Sequence, residues 1–190
     1  MELGVGILTD PDLRSLRHFS LNPLYHYQVT MQLVFISDTH DVATLGKWGT
    51  IPDGDVLIHA GDITPRGKLE QLTKAVKFFE KLPHKHKVFI AGNHDFCFEK
   101  EPAVSRAIME SAGLVYLENQ LVEIDGLKIY GTPHQPWFYD WAFNVMNDKR
   151  REDIYSVIPE NLDVLITHCP PYGILDRTYR GEPVGCTVLS

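Results

Sequence analysis

Carboxylate, imidazole and amide side chains recur directly after four short apolar runs of the sequence. Asp38 and His40 follow the first run, and Asp62 follows the second. The tripeptide Asn-His-Asp at 93–95 follows the third run, and His168 follows the fourth. Any one of these motifs could be a turn or a helix cap, since Asp and Asn favour such positions. Their recurrence at four corresponding places predicts a metal site.

The donor types indicate which metal such a site would hold. Mixed oxygen and imidazole donors without thiolate suit Mn²⁺, Fe or Zn²⁺, whereas an all-oxygen set suits Mg²⁺ or Ca²⁺. The two oxygens of one carboxylate can bridge two cations about 3.5 to 4 Å apart. We therefore expect two divalent metal ions bridged by Asp62, with Mn²⁺ as the expected metal and Fe or Zn²⁺ as alternatives.

Regular elements must position these side chains. Short continuous apolar runs predict strands buried on both faces, at 32–36, 55–60, 87–92 and 163–167. Apolar residues at helical spacing predict helices over 67–83 and 101–113, and Asp125-Gly126 predicts a hairpin. In an open α/β sheet the carboxyl ends of the strands form the ligand-binding crevice. The four polar motifs are therefore expected to meet there.

Composition excludes several classes of protein. The 190 residues are 44% hydrophobic, which suits one domain with a substantial core, and a formal charge of −7 argues against a nucleic-acid partner. Apolar runs of about five residues fall short of the roughly twenty that span a bilayer, so no membrane segment is expected. The beginning of the chain does not resemble a secretory signal, and three cysteines without CxxC spacing are typical of reduced thiols. We expect a cytoplasmic protein with an extension over residues 1–30 and one domain over 31–190.

Several blocks of the sequence resemble a known enzyme superfamily. "DTH", "GD", "GNHD" and "THCPP" resemble the successive signature blocks of the calcineurin-like metallophosphoesterases. "HAGDIT", "AGNHDFCFEK" and "IYGTPHQPWFYDWAFN" are similar to its metallophosphoesterase-domain (MPPED) branch, known as cyclic nucleotide phosphodiesterases. The resemblance covers about residues 31–186. It implies a four-layer α/β sandwich of two mixed β-sheets flanked by helices.

The resemblance also implies a division of labour among the polar residues. Asp38 and His40 would bind the first metal, Asp62 both metals, and Asn93 and His168 the second. A hydroxide bridging the metals would attack phosphorus in a small phosphoester or nucleotide substrate.

Two further roles follow from the same resemblance. His94 would be the catalytic histidine that serves the leaving alkoxide, and Asp95 would orient it.

A few residues near the expected site have two interpretations. His134 lies in a loop that the resemblance places near the pocket, and it is a candidate substrate contact with Trp137. Base stacking on aromatic rings is one interpretation of the following cluster, and cover for the second sheet is the other: Trp137, Phe138, Tyr139 and Trp141. His59 lies inside a predicted strand, and we expect either a hydrogen-bonded core imidazole or one that adjoins the ligands, rather than a ligand itself.

The end of the sequence departs from the family pattern. Superfamily members continue into another helix and strand and a GHxH loop, which reads closer to GGIHE in the MPPED branch, whereas this sequence ends at Ser190. We therefore expect an incomplete domain whose last strands are missing. Two functions stay open: a metal-dependent phosphodiesterase, and a catalytically weak or inactive relative that binds metal or nucleotide.

Overall fold

The computed structural model describes three parts of the chain, residues 6–8 as backbone only, 31–42 and 50–190. The predicted extension over residues 1–30 lies outside the described residues, apart from strand β1 (Gly6–Leu8). β1 pairs antiparallel with β2 (Leu33–Ile36). At least this short part of the extension therefore adds a strand to the main sheet.

The first sheet has five strands in the order β1-β2-β3-β4-β5. The remaining members are β3 (Val56–His59), β4 (His86–Phe89) and β5 (Val115–Tyr116). Strands β2 to β5 pair in parallel. Three of the predicted apolar strands are thus confirmed, and most of their side chains are apolar because both faces of the sheet are covered.

Three helices cover one face of this sheet: α1 (Leu69–Phe79), α2 (Phe96–Lys100) and α3 (Pro102–Ser111). Leu72, Val76 and Phe79 of α1 are buried against Val34 and Leu57 of the sheet. The two predicted helices are confirmed. Helix α2 was not predicted, because five residues are too few to show helical periodicity.

The predicted hairpin consists of β6 (Gln120–Ile124) and β7 (Leu127–Thr132). Asp125 and Gly126 both have positive φ, 49° and 90°, as a two-residue type I′ turn requires. After the hairpin come β8 (Gln135–Pro136), β9 (Asn144–Val145), α4 (Asp148–Tyr155) and β10 (Val164–Thr167). Strand β10 lies parallel to β7 and completes a second sheet in the order β10-β7-β6.

The two sheets pack face to face. Val56, Ile58 and Val88 of the first sheet form one buried cluster with Ile129 and Ile166 of the second. Successive residues of a strand point to opposite faces, so neighbouring residues of β3 reach the helices on one side and the second sheet on the other. The predicted α/β class, with two mixed sheets flanked by helices, is confirmed.

This packing leaves the carboxyl ends of β2, β3, β4 and β10 at one edge of the molecule. Within the described parts of the chain, no helix has the length and apolar character needed to cross a bilayer.

Candidate metal centre

The loops that follow β2 and β3 are fastened to each other by their backbones. The amide of Asp38 donates to the carbonyl of Gly61 at 2.9 Å, and the amide of His40 donates to the carbonyl of Asp62 at 2.9 Å. These two bonds extend the parallel pairing beyond the ends of the strands. They place the side chains of the two loops in one crevice.

Three polar residues of this crevice have left-handed backbones. The φ angles are 55° at Asp38, 44° at His40 and 59° at Asp62. Such conformations cost of order 1 kcal/mol or more for a residue with a Cβ, and they persist where the surrounding structure over-determines them. Strain concentrated at three neighbouring metal-capable residues favours a functional site here.

Asp62 lies at the centre of the crevice and is almost fully buried. Its Oδ1 accepts the His94 amide at 2.8 Å and lies 3.5 Å from His168 Nε2. Its Oδ2 lies 3.8 Å from His40 Nε2 and 3.9 Å from His94 Nε2. The two carboxylate oxygens therefore face different sets of imidazoles.

Backbone carbonyls fix the orientation of these rings. His168 Nδ1 bonds to the carbonyl of Ala60 at 2.9 Å. His94 Nδ1 bonds to the carbonyl of Pro65 at 2.8 Å. A carbonyl oxygen only accepts, so in each ring Nδ1 carries the hydrogen, and in the neutral ring Nε2 presents its lone pair towards Asp62. Metal-binding histidines are held in this way, with the second nitrogen donating to a carbonyl or a carboxylate.

The donor atoms fit a divalent cation. His168 Nε2 lies 3.0 Å from Asn93 Oδ1. Because the lone pair of a neutral imidazole and that of an amide oxygen repel at this distance, a cation or a proton between them would be stabilising. Two groups of three residues could each hold a cation, because within each group the ligating atoms lie within 4.8 Å of one another. The first group is His40, Asp62 and His94, and the second is Asp38, Asp62 and His168. Asp62 belongs to both groups, as a bridging carboxylate would.

The structure groups these residues differently from the predicted division. His94, predicted to be catalytic, lies with His40, and their rings meet edge to face with centroids 4.5 Å apart. Asp38, predicted to share a metal with His40, also lies within reach of His168. All five predicted ligands nevertheless meet in the one crevice.

Asp95 has a different set of partners from the one predicted. Its carboxylate is fully buried and accepts the amide of Gly92 at 2.9 Å and that of Ile63 at 3.1 Å. It also accepts the amide of Thr64 at 2.8 Å and the Thr64 hydroxyl at 2.7 Å. Burial, followed by the negative charge of Asp62, raises the pKa of this carboxyl.

These contacts correct the prediction that Asp95 orients the His94 ring. The Pro65 carbonyl holds that ring, and Asp95 instead joins the loop after β3 to the loop after β4. The carboxylate points back into the molecule because backbone donors converge on it there.

The two candidate substrate contacts, His134 and Trp137, lie on either side of β8. Trp137 is half exposed, and its ring lies 6.3 Å from that of Tyr139. The His134 ring packs edge to face on Phe143, and burial lowers the pKa of His134. His134 does not belong to either group of ligating atoms.

Trp141 is the aromatic residue that reaches the centre. Its ring lies 4.2 Å from the His94 ring, and the following residue, Ala142, donates its amide to the Asn93 carbonyl at 3.0 Å. Sequence reasoning placed Trp141 in the aromatic cluster but did not single it out. No spacing in the sequence distinguishes Trp141 from Trp137, because the fold of the intervening loop decides which ring turns inward.

Gly92 allows the loops to approach closely. A Cβ at this position would come 2.6 Å from His168 Cε1 and would also overlap with Asp62. Only glycine can therefore stand between these two ligand-bearing loops.

Comparison with known proteins identifies relatives of this chain. The model of the calcineurin-like phosphoesterase family matches residues 31–189. Metallophosphoesterase domain-containing protein 1 of Homo sapiens is 36% identical over 180 residues, with coverage of 83% of this chain and 54% of that protein. The Mus musculus protein of the same name gives the same values. A UPF0046 protein of Caenorhabditis elegans is 34% identical over 171 residues, which cover 84% of this chain and 57% of that protein.

The chain thus spans about half the length of the curated relatives it matches. A solved crystal structure that is only 17% identical has the same fold, with a TM-score of 0.65 and coverage of 83% of this chain and 77% of that one. The match of the family model over most of the chain, together with 36% identity to a relative, shows that the chain belongs to the calcineurin-like phosphoesterase family.

Proposed function

We propose that this chain is a metal-dependent phosphoester hydrolase, and that it cleaves small phosphodiesters such as cyclic nucleotides. The observation that carries the proposal is the position of Asp62, whose two carboxylate oxygens face two separate groups of ligating atoms. Membership of the family supports the reaction class.

Two divalent cations, with Mn²⁺ as the first choice and Fe or Zn²⁺ as alternatives, would be held by the five residues predicted as ligands: Asp38, His40, Asp62, Asn93 and His168. When bound, such cations lower the pKa of coordinated water and neutralise phosphate oxygens. Asp38 and Asp62 are the two negatively charged residues of this set. The amide oxygen of Asn93 adds a donor without adding charge, so the loaded centre would favour an anionic substrate.

His94 is the proposed proton carrier for the leaving group. Its Nδ1 is held by the Pro65 carbonyl, so only Nε2 is free to exchange a proton. That atom faces the centre, 3.9 Å from Asp62 Oδ2, and the side chain is partly open to solvent. A departing alkoxide at the centre would take a proton from Nε2 of the imidazolium form of this ring, which would leave the neutral ring with its hydrogen on Nδ1. The adjoining Trp141 ring restricts the rotation of the imidazole.

The exposed aromatic residues between β8 and β9 offer a surface for a base. Stacking of a base on an aromatic ring contributes about 1 to 3 kcal/mol. We propose that Trp137 takes this role, with His134 on the other side of the two-residue strand β8. Replacing Trp137 by Ala should raise the KM for cyclic AMP and leave unchanged the KM for a diester without a ring, such as glycerophosphocholine. An equal change for both substrates would contradict a stacking role.

We also propose the cytoplasm as the location of the protein. The three cysteines, Cys97, Cys169 and Cys186, are buried free thiols, which suits a reducing compartment.

Turnover by the purified chain tests the proposed function. The protein is depleted of metal with EDTA and reloaded with Mn²⁺, and hydrolysis of bis-p-nitrophenyl phosphate and cyclic AMP is followed. Turnover should require the metal, and His94→Ala should lower kcat about 100- to 10,000-fold. His86→Ala is the matched control, because His86 bonds to Asp125 away from the centre. Nucleotide binding without hydrolysis would refute the proposal and support the alternative of a binding protein, and wild-type turnover by His94→Ala would refute the role of His94.

A further inference from the structure

His59 lies directly beneath the candidate metal centre without belonging to it. It is the last residue of β3 and is fully buried. Its ring stacks on Phe89, with centroids 5.3 Å apart, and meets Phe79 edge to face at 5.4 Å. An imidazole in this apolar setting needs a partner for each of its ring nitrogens, because an unpaired buried polar atom costs about 1 to 3 kcal/mol.

Both ring nitrogens of His59 have such partners, and together the partners fix its tautomer. The amide of Gly61 donates to Nδ1 at 3.2 Å, so Nδ1 carries no hydrogen. Nε2 must then carry the hydrogen of the neutral ring and donate it to Thr39 Oγ1 at 2.9 Å. Burial, followed by the charges of His168 and His40, lowers the pKa of His59 to about 3, which agrees with a neutral ring.

The two partners belong to the two loops that carry predicted ligands. Thr39 stands between Asp38 and His40, and it is itself buried. Gly61 directly precedes Asp62. A single side chain therefore touches both loops at the positions adjacent to their left-handed residues.

We propose that His59 is a positioning residue for the metal centre, and that its imidazole ties the Asp38–His40 loop to the Asp62 loop through its two ring nitrogens. The inference rests on the proposed function, because that function requires the two loops to hold their metal ligands at a fixed spacing. The strain of three left-handed residues has to be held by the surroundings. His59 adds two side-chain bonds to the two backbone bonds that join the loops.

A ligand role for His59 does not fit these contacts. Both nitrogens are already engaged, and the ring is closed off from the crevice by Thr39 and Gly61. An apolar residue at position 59 would leave the Thr39 hydroxyl and the Gly61 amide without this partner.

Metal binding by matched variants tests the proposal. Thr39→Val replaces the hydroxyl by a methyl group of similar size, and His59→Leu removes both bonds. The buried ring of His84 bonds to the carbonyl of Pro52 at 2.9 Å outside the centre, so His84→Leu is the control for the loss of a buried imidazole. Calorimetry with Mn²⁺ alone gives the Kd, and urea unfolding in EDTA gives the stability of each variant.

We expect Thr39→Val and His59→Leu to weaken Mn²⁺ binding about 10- to 100-fold, which is the effect typical of removing a residue that orients metal ligands. His84→Leu should lose stability without a change in Kd. Long-range ¹H–¹⁵N spectra of the metal-free protein should show His59 protonated at Nε2 and not at Nδ1.

Three results would count against the proposal: wild-type Mn²⁺ affinity in Thr39→Val, a proton on Nδ1 of His59, and the absence of Mn²⁺ binding by the wild-type protein. Wild-type Mn²⁺ affinity in Thr39→Val overturns it even if His59→Leu does not fold, and a proton on Nδ1 of His59 overturns it without any metal. Wild-type protein that binds Mn²⁺ but hydrolyses nothing refutes the proposed function and leaves this inference standing. Wild-type protein that binds no Mn²⁺ refutes both.

Discussion

Acidification should lower the free energy of unfolding because His59 binds a proton in the unfolded chain at a higher pH than in the folded protein. The folded-state pKa is lowered from the ordinary value of 6.5 to about 3, chiefly by burial. Between these two values the unfolded chain binds a proton at His59 and the folded chain does not. Stability therefore rises with pH across this window and is lost as the pH falls from about 6.5 towards about 3.

The magnitude follows from the difference between the two pKa values. Each pH unit below the unfolded-state pKa costs about 1.4 kcal/mol for a single group. Between about pH 7 and pH 5, His59 alone should cost about 2 kcal/mol, a large share of the usual stability of a single domain. The charges of His168 and His40 lower the pKa of His59 in the same direction as burial does.

Urea unfolding in EDTA at several pH values measures this cost, with His59→Gln as the comparison. The variant lacks the titrating group but keeps an amide that can donate to Thr39. All other histidines are common to both proteins, so the difference between the two pH profiles isolates position 59. Wild type should lose about 2 kcal/mol more than the variant between pH 7 and pH 5. Parallel profiles would refute the assignment of His59 as a buried neutral ring, as would an NMR titration in which its ring gains a proton above about pH 5.

Two substitutions test other parts of the centre. The carboxylate of Asp95 accepts hydrogen bonds from backbone amides, and Asp95→Asn would turn an amide nitrogen towards those donors. We therefore expect this substitution to lower the free energy of unfolding by about 3 kcal/mol. Asp163→Asn, at an exposed backbone contact, is the control and should change that free energy by less than about 1 kcal/mol. Equal effects in urea unfolding would contradict the role of Asp95 in joining two loops. Gly92→Ala forces a methyl group against Asp62, so the Mn²⁺ binding that calorimetry measures should be lost. Gly113→Ala is the control: its φ of 69° strains an alanine and should lower stability, but the space around its Cβ is open and Mn²⁺ should bind normally. Unchanged Mn²⁺ affinity in Gly92→Ala would contradict the close approach of the loops.

Much of the fold could be predicted because the local signals agree with the tertiary structure. The apolar runs that became β2 and β3 are buried almost throughout, and those that became β4 and β10 are buried in part, so their apolar composition identifies them as strands. Asp125-Gly126 supplies the positive φ angles that a tight hairpin needs. Helix α4 was missed because its sequence, DKRREDIY, is polar around most of the helix and shows no apolar stripe.

The candidate centre could be predicted as a set of residues but not as an arrangement. Asp38, His40, Asp62, Asn93 and His168 follow apolar strands, and parallel strands bring their carboxyl ends to one edge of a sheet. Linear order does not say which oxygen of a carboxylate faces which ring.

The sequence by itself thus determined the class of fold, the crevice at the strand ends and the residue types that meet there, because periodicity and strand polarity are local properties of the chain. Only the tertiary structure decided that Asp95 joins two backbones, that Pro65 holds His94, that Trp141 rather than Trp137 turns inward, and that His59 spans two loops. Each of these outcomes depends on hydrogen-bond or ring geometry between residues distant in the chain, and such geometry is fixed only when the two sheets and their loops have packed.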